Sequence, residues 1–454
     1  MVCALLSVAH LPHATGLFCG FVIVRSTPSP AQIGPSGRPG SPGNGRAVFM
    51  GKSLSETMDM AALLIWVTIS TIPLPAVSIF NYMLAGFFLS GFGRDPRQLL
   101  PAAARSWPVF LLPLLAILSS LWAPSAADAI RRGVLLALTG VFAIYLGSRL
   151  SGRQIISGYF LVELVAGLLS IAAPNVEGGV ARGIFDQKNV LAIHMFFLYV
   201  TSLAIILDGR FYLPLRLAAL AGAPIAVVLI ILSQSATTLG FLGVASLAFL
   251  LHALIWTPAS RIRHLRTALS LVIVVLVSLA LFAALGILQI NVYEEVLNLL
   301  GKDSTLTGRT YLWDQARRLM AENPLTGVGA NGFWRPETGQ ANSILTYFSY
   351  EQYTGFSFHN SYLENGVQMG YPGMFATILL AAWGLLSALR NWVLSQTIVN
   401  AFFLVVTTLV VIRSNTEVDL AGELGITNIL LMIGAVRRNP PAAAQTNPST
   451  GKLP

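Results

Sequence analysis

Charge is what this sequence has least of. Only 10% of its 454 residues are Asp, Glu, Lys or Arg, whereas 55% are hydrophobic and the mean hydropathy is +0.70. A soluble domain carries about 25% charged residues, so a chain this poor in them lacks the polar surface to stay dissolved. The composition is that of a polytopic membrane protein. Cysteine is scarce too: Cys3 and Cys19 are the only two, both near the N-terminus. Their position excludes a structural zinc site and a disulfide framework in the body of the chain. There is no Gly-x-x-x-x-Gly-Lys-Ser/Thr phosphate loop, no His-Glu-x-x-His and no Asp-x-Asp pair. ATP hydrolysis and zinc proteolysis thereby lose their sequence basis, and no metal or cofactor is expected. A polytopic transporter would be expected to show internal repeats and mid-bilayer charges, and the apolar runs are read as lacking both.

Apolar runs of spanning length recur from Ala61 onward. The spacing predicts an all-α fold of about 12 transmembrane helices, at roughly 20 residues per span. They are placed at 61–76, 77–92, 106–121, 131–148, 154–173, 189–207, 212–232, 236–256, 267–290, 361–388, 397–413 and 420–436. Ser70, Pro73 and Pro75 leave open whether the first two are one kinked element. Residues 1–58 are set apart: the apolar stretch Leu11–Val24 lacks a basic segment before it and runs into a Pro/Gly/Ser-rich tract. A signal or anchor segment and a poorly structured extension, with the true start at Met50 or Met58, are the two readings, and the second is preferred. The membrane-embedded domain is expected over 59–437, with a disordered cytoplasmic tail at 438–454.

Lys/Arg bias sets the orientation. Arg94, Arg97, Arg149, Arg153, Arg210, Arg216, the cluster Arg261–Arg266, Arg390 and Arg437-Arg438 all fall on one side of a twelve-helix chain, which is the cytoplasmic side. The other side receives Ala123–Asp128, Asn175–Lys188, one large exported loop at 291–358 and Ser414–Asp419. Within and beside that loop lies Gly308–Asn360, the longest polar stretch in the chain. Polar sequence of this kind outside a bilayer is where specificity and chemistry concentrate.

Basic residues that break the bias need a ligand or a counter-ion: Arg182, Lys188, Arg309 and Arg413. Lys302, Arg317-Arg318 and Arg335 break it too, but each has an acidic neighbour in sequence. Arg182 and Lys188 stand at a helix entrance, where N–H groups and the dipole attract anions. Phosphate binding and pairing with Asp186 or lipid headgroups are both open there. His359 is the only histidine of the exported polar region and is the natural general base, with a capping role as the alternative. His194, inside an apolar helix, reads as a packed, hydrogen-bonded residue. Glu294-Glu295 suits either a divalent metal or a solvated helix face, the latter preferred. The hydroxyls of Ser233–Thr238 could line a polar cavity or back-bond to helix carbonyls.

Taken in order, these motifs resemble the O-antigen ligase and polysaccharide polymerase superfamily, especially its exopolysaccharide-polymerase branch. The resemblance is carried by Ser119-Ser120-Leu121-Trp122-Ala123-Pro124 with Arg131-Arg132, Arg182 to Asn189, Ser233 to Thr237, Gly308-Arg309 with Trp313, Asn323 to Gly329, and His359-Asn360. It covers roughly 60–437. It implies a membrane glycosyltransferase, in exopolysaccharide or O-antigen biosynthesis, that moves a glycan from undecaprenyl diphosphate to an acceptor hydroxyl on a glycan or lipid A core. It further implies a bacterial inner-membrane location, a periplasmic active site, the lipid bilayer and other polysaccharide assembly proteins as partners, and no nucleic acid. The family's roles carry over as His359 and Arg309 in catalysis and Arg182, Lys188 and Arg309 on the diphosphate. Asn189, Ser235, Thr237, Trp313 and Asn360 follow as substrate-binding residues. The chain departs from the family at Ala236, where a basic residue often precedes the Thr. Such a transfer would be inverting and metal-independent, because a lipid diphosphate is already a good leaving group and guanidinium groups can hold its charge. A transporter and a non-catalytic envelope assembly protein are the alternatives.

Overall fold

Apolar runs bounded by capping residues become helices throughout the computed structural model, which describes residues 54–74, 77–259, 262, 264–265, 308–350, 352–353, 355–420 and 422–437. In chain order the helices are α1 (Leu54–Thr71), α2 (Val77–Arg94), α3 (Pro96–Arg105), α4 (Leu111–Leu118), α5 (Ala126–Arg149), α6 (Gly152–Ala172), α7 (Lys188–Leu207), α8 (Leu213–Leu232), α9 (Ala236–Leu251), α10 (Arg309–Glu322), α11 (Gly339–Tyr347), α12 (Ser361–Leu394), α13 (Ile398–Arg413) and α14 (Ile426–Val436). A π-helical turn, His252–Trp256, carries α9 on to Ala259. A small antiparallel ribbon, β1 (Val176–Glu177) with β2 (Val180–Ala181), links α6 to α7. Local chemistry fixes the starts. Ser125 accepts the Asp128 N–H, Ser151 and Gln154 cap each other reciprocally, and Asn360 accepts the Tyr362 and Leu363 N–H groups.

Among the described residues, six helices are long and apolar enough to cross a bilayer: α5, α6, α7, α8, the α9 stretch to Ala259, and α12. A seventh arises if α3 and Trp107–Leu121, bent by 76° at Ser106, count as one span. Of the expectation of about twelve spans, the described residues bear out these six or seven. Helices also occupy the other expected places that fall within the described residues, but α1 and α2 carry polar residues such as Glu56, Asp59 and Asn81, while α13 and α14 hold 16 and 11 residues. Eleven residues rise only about 16 Å, roughly half of a 30 Å hydrocarbon core. α1 ends at Thr71 and α2 begins at Val77, with Ile72–Leu74 outside both. The expected span 267–290, Glu294-Glu295, Lys302, most of residues 1–58 and the tail 438–454 lie outside the described residues.

Burial separates an inner from an outer layer. Phe142 of α5, Tyr159 and Phe160 of α6, Phe196 and Phe197 of α7 and Phe402 of α13 are fully enclosed. Leu213, Leu217, Leu220, Val228 and Ile231 of α8 and Val244, Leu247 and Leu250 of α9 are exposed, as befits a lipid-facing rim. One reading is corrected here. Glu163 is a carboxylate inside an apolar helix, 3.1 Å from His194 Nδ1 and 3.4 Å from the Thr71 hydroxyl, so the spans are not free of interior charge. His194 also stacks on Phe185 at 4.7 Å, the packed role expected for it.

Polar contacts sort the connections into two ends. At one, Arg149 bonds Asp59, Asp95 and Ser55, Arg153 bonds Asp208, and Asn391 donates to the Arg437 carbonyl. At the other gather the β1–β2 ribbon, Ser233–Ser235, residues 308–350 and 355–360, and the Ser414–Asp419 turn.

That second end is built around a break in α12. Met369 and Gly370 leave helical geometry, with Gly370 at φ +66°, and Pro372 supplies no N–H. Freed Val367 and Gln368 carbonyls accept the N–H groups of Val328 and Gly329 at 3.0 and 2.8 Å. Tyr371 N–H donates to the Pro324 carbonyl at 2.7 Å. The turn Asn323–Gly329 is thus a plug for a broken helix. Ser119 and Trp122 hold the plug from the other side, Ser119 Oγ accepting the Ala330 N–H and Trp122 Nε1 donating to the Thr326 carbonyl, each at 3.0 Å.

Candidate functional site

Gly308 starts the site by adopting φ +85°, a conformation that costs glycine little, and α10 begins at Arg309. Arg309, Trp313 and Arg317 follow at i, i+4 and i+8, so they share one face. Trp313 Nε1 donates to the Phe358 carbonyl at 3.0 Å, tying α10 to the residues just before α12. Glu364 accepts the Phe358 N–H at 2.9 Å and is held by Gln368 Nε2 at 2.6 Å. His359 sits between these anchors at φ +48°. A non-glycine residue kept in that region is strained, and the strain persists only where neighbours over-determine it.

Asn360 caps α12 and donates to the Asn415 carbonyl at 3.0 Å. Ser361 accepts the Leu420 N–H and donates to the Glu417 carbonyl. These bonds lock the Ser414–Asp419 turn onto the start of α12. They bring Glu417 between the two residues singled out in the sequence: Arg309 Nη2 lies 2.7 Å from Glu417 Oε1, and His359 Nδ1 lies 3.3 Å from Oε2. Arg413, paired with Asp419, stands close by. Burial alone would raise the Glu417 carboxyl, but the His359 hydrogen bond and the Arg309 and Arg413 charges outweigh it and hold the group at about 2. Glu417 is therefore a fixed anion at any working pH.

Beside this triad opens a groove of about 580 Å³ between α10, α12 and α13. Trp313, Arg317, Asn360 and Asn415 line its polar part, while Ile378, Leu385 and Val411 line an apolar part. Polar and apolar linings in one groove suit an amphipathic ligand.

The sequence-derived residues divide into two groups. Arg309, Trp313, His359 and Asn360 come together. Arg182, Lys188, Asn189 and Ser235 form a second cluster, and no hydrogen bond or ion pair joins it to Arg309 or His359 among the described residues. Ser235 Oγ donates to Asn189 Oδ1 at 3.3 Å and lies 3.1 Å from the Thr238 hydroxyl, and Thr237 sits in the first turn of α9. Arg182 pairs with Glu177 at 2.5 Å and bonds the Asp186 carbonyl, so a carboxylate other than Asp186 is its counter-ion. Lys188 is exposed, at the first position of α7. Arg309 and Arg413 likewise have carboxylate partners.

Sequence reading missed Glu417. It lies 108 residues from Arg309 and 58 from His359, and no spacing rule links positions that far apart. The available signal was an acidic residue beside Arg413 in a short turn. Arg317 was also discounted because Asp314 accompanies it; the two do pair, yet Arg317 still lines the groove.

Comparison with known proteins bears on the same region. The family described as O-Antigen ligase matches residues 221–378, a stretch that holds Arg309, Trp313 and His359. Over this stretch the chain is similar to the O-antigen ligase and polymerase-like family. Over 369 residues it is 26% identical to "Exopolysaccharide production protein ExoQ" of Rhizobium meliloti (strain 1021), covering 79% of this chain and 82% of that protein. Its apolar helices, together with this similarity, indicate a multi-pass membrane protein.

Proposed function

We propose that the protein is an inverting glycosyltransferase that joins a glycan carried on undecaprenyl diphosphate to an acceptor hydroxyl at the exported face of the inner membrane. One observation carries the reading: Glu417 bridges Arg309 and His359, and Asn360, the residue after His359, lines an amphipathic groove. With Glu417 ionised, His359 Nδ1 carries the proton toward it and Nε2 keeps a free lone pair for the acceptor hydroxyl. The acceptor oxygen then bonds the anomeric carbon as the bond to the diphosphate oxygen breaks; the hydroxyl proton passes to Nε2, and the electron pair leaves with undecaprenyl diphosphate. Attack opposite the leaving group inverts that carbon.

Glu417 engages a single nitrogen of Arg309, which leaves the rest of the guanidinium for diphosphate oxygens, with Arg317 two turns further along the same face. Cations so placed stabilise the charge that grows on the leaving group, so the chemistry calls for neither nucleotide nor metal. The apolar part of the groove suits the prenyl chain. Orientation rests on the basic end, which the Lys/Arg rule assigns to the cytoplasm. Arg182 and Lys188 are proposed as a second cationic station for the donor.

Analysis of lipid-linked and surface glycans in a deletion strain tests the reading. Loss of surface polymer with lipid-linked intermediates accumulating is expected, and a plasmid copy carrying His359→Ala should fail to restore it. Single repeat units would indicate a polymerase and long lipid-linked polymer a ligase. Unchanged glycans in the deletion strain would sink the proposal.

A further inference from the structure

At the end of the molecule opposite His359, a second cavity of about 520 Å³ opens where α6 and α13 begin and α5 and α14 finish. From the cap of α13 to Arg413 the helix runs roughly 24 Å, at 1.5 Å per residue, so this cavity is far from the site already described. Four arginines line it, Arg105, Arg153, Arg210 and Arg437, and no carboxylate residue does. The nearby Asp208 is engaged by Arg153 Nε at 2.8 Å, which offsets one of these charges and leaves the lining net positive.

Two helix N-termini open into the same space. Ser151 and Thr397 each satisfy one N–H of their helix, at Gln154 and Asn400. The remaining first-turn N–H groups have no intrahelical acceptor, and both dipoles present their positive ends. Arg437 is the most telling residue. Its guanidinium lies over the Phe403 ring at 4.5 Å and has no carboxylate partner among the described residues. Gly152 makes room for it, because a Cβ there would stand 2.5 Å from Arg437 Cζ and Nη2. Burial and the like charge of Arg153 depress the Arg437 guanidinium to about 10. An anion would relieve both. Topological bias accounts for basic residues at this end, but not for their convergence on a cavity with two helix starts.

We infer that this cavity binds a phosphate group, carried by an anionic phospholipid headgroup or by a soluble phosphate. The inference does not depend on the transfer chemistry at His359. Full-length protein in neutral detergent, titrated with inorganic pyrophosphate at constant ionic strength, probes the soluble source. Native mass spectrometry after reconstitution in phosphatidylglycerol or phosphatidylcholine nanodiscs probes the headgroup. Wild type should bind pyrophosphate or retain phosphatidylglycerol, and Arg210→Gln and Arg437→Gln should each weaken that binding about tenfold or more, while Arg437→Lys falls between. Arg210 is exposed, so its variant folds normally and decides the matter if Arg437→Gln does not. Pyrophosphate binding alone assigns a soluble ligand, and phosphatidylglycerol retention alone assigns a headgroup. The inference fails if neither probe binds, if Arg210→Gln binds like wild type, or if binding is lost in Arg309→Gln but kept in Arg210→Gln.

Discussion

Glu417 decides how the residues of the site divide their labour. As a fixed anion it keeps one His359 nitrogen occupied and one Arg309 nitrogen in place. Glu417→Gln should therefore slow transfer by about 10²–10⁴-fold, the usual worth of a general base, because the histidine loses its orienting partner. Donor binding should fall less, and the pH profile should change, which simple misfolding would not produce. Stability carries the same signature. The Glu417 carboxyl lies at about 2 in the fold against an ordinary 4.5. A depressed value stabilises the fold fully above 4.5, and the gain drains away as pH falls toward 2. A thermal-midpoint series over that window should show the decline in wild type and a shallower one in Glu417→Gln. Arg309→Lys keeps charge but loses the planar fork, so donor affinity should drop while the protein still folds. His359 and Arg309 were legible in sequence because each stood out chemically: one histidine in a polar stretch, one arginine after a glycine. Glu417 was not legible, because only the folded turn Ser414–Asp419 brings it to them.

Among elements, the broken helix α12 and its plug set the site's floor. Gly327 and Gly370 both have positive φ, and a Cβ on Gly327 would meet the Val367 carbonyl at 2.5 Å, backbone against backbone. Gly327→Ala should cost about 1–3 kcal/mol and lower the thermal midpoint in detergent. Gly339→Ala is the control: a Cβ there meets nothing within 4 Å, and helix propensity favours alanine, so stability should hold or rise slightly. Equal losses in both variants would mean that the plug contributes nothing. The turn character of Asn323–Gly329 was plain from Pro324 and the glycines, and Gly370 and Pro372 marked a weak point in the helix. Their partnership was hidden, since a turn signal names a local conformation and says nothing about which distant carbonyls it will satisfy.

At the scale of the whole molecule, composition and periodicity located the described helices but did not separate spanning from enclosed ones, because a hydrophobic run reports burial as readily as lipid contact. α14 is the clearest case, 11 residues long and almost wholly enclosed. What the fold adds is the sorting of connections into a cation-rich end and an end that holds Arg309, His359 and Glu417. In a background lacking Cys3 and Cys19, cysteine at exposed Ser343 should react with an impermeant thiol reagent after outer-membrane permeabilisation, and cysteine at exposed Gly209 should not. Reaction at Gly209 alone would reverse the orientation. The most direct measurement of the central claim uses purified protein, an undecaprenyl-diphosphate oligosaccharide and its acceptor, with donor binding and turnover followed separately. His359→Gln should bind donor as wild type does yet transfer about 10²–10⁴-fold more slowly, with chelator leaving the wild-type rate unchanged. Turnover by His359→Gln at the wild-type rate, or loss of wild-type activity in chelator, would contradict it.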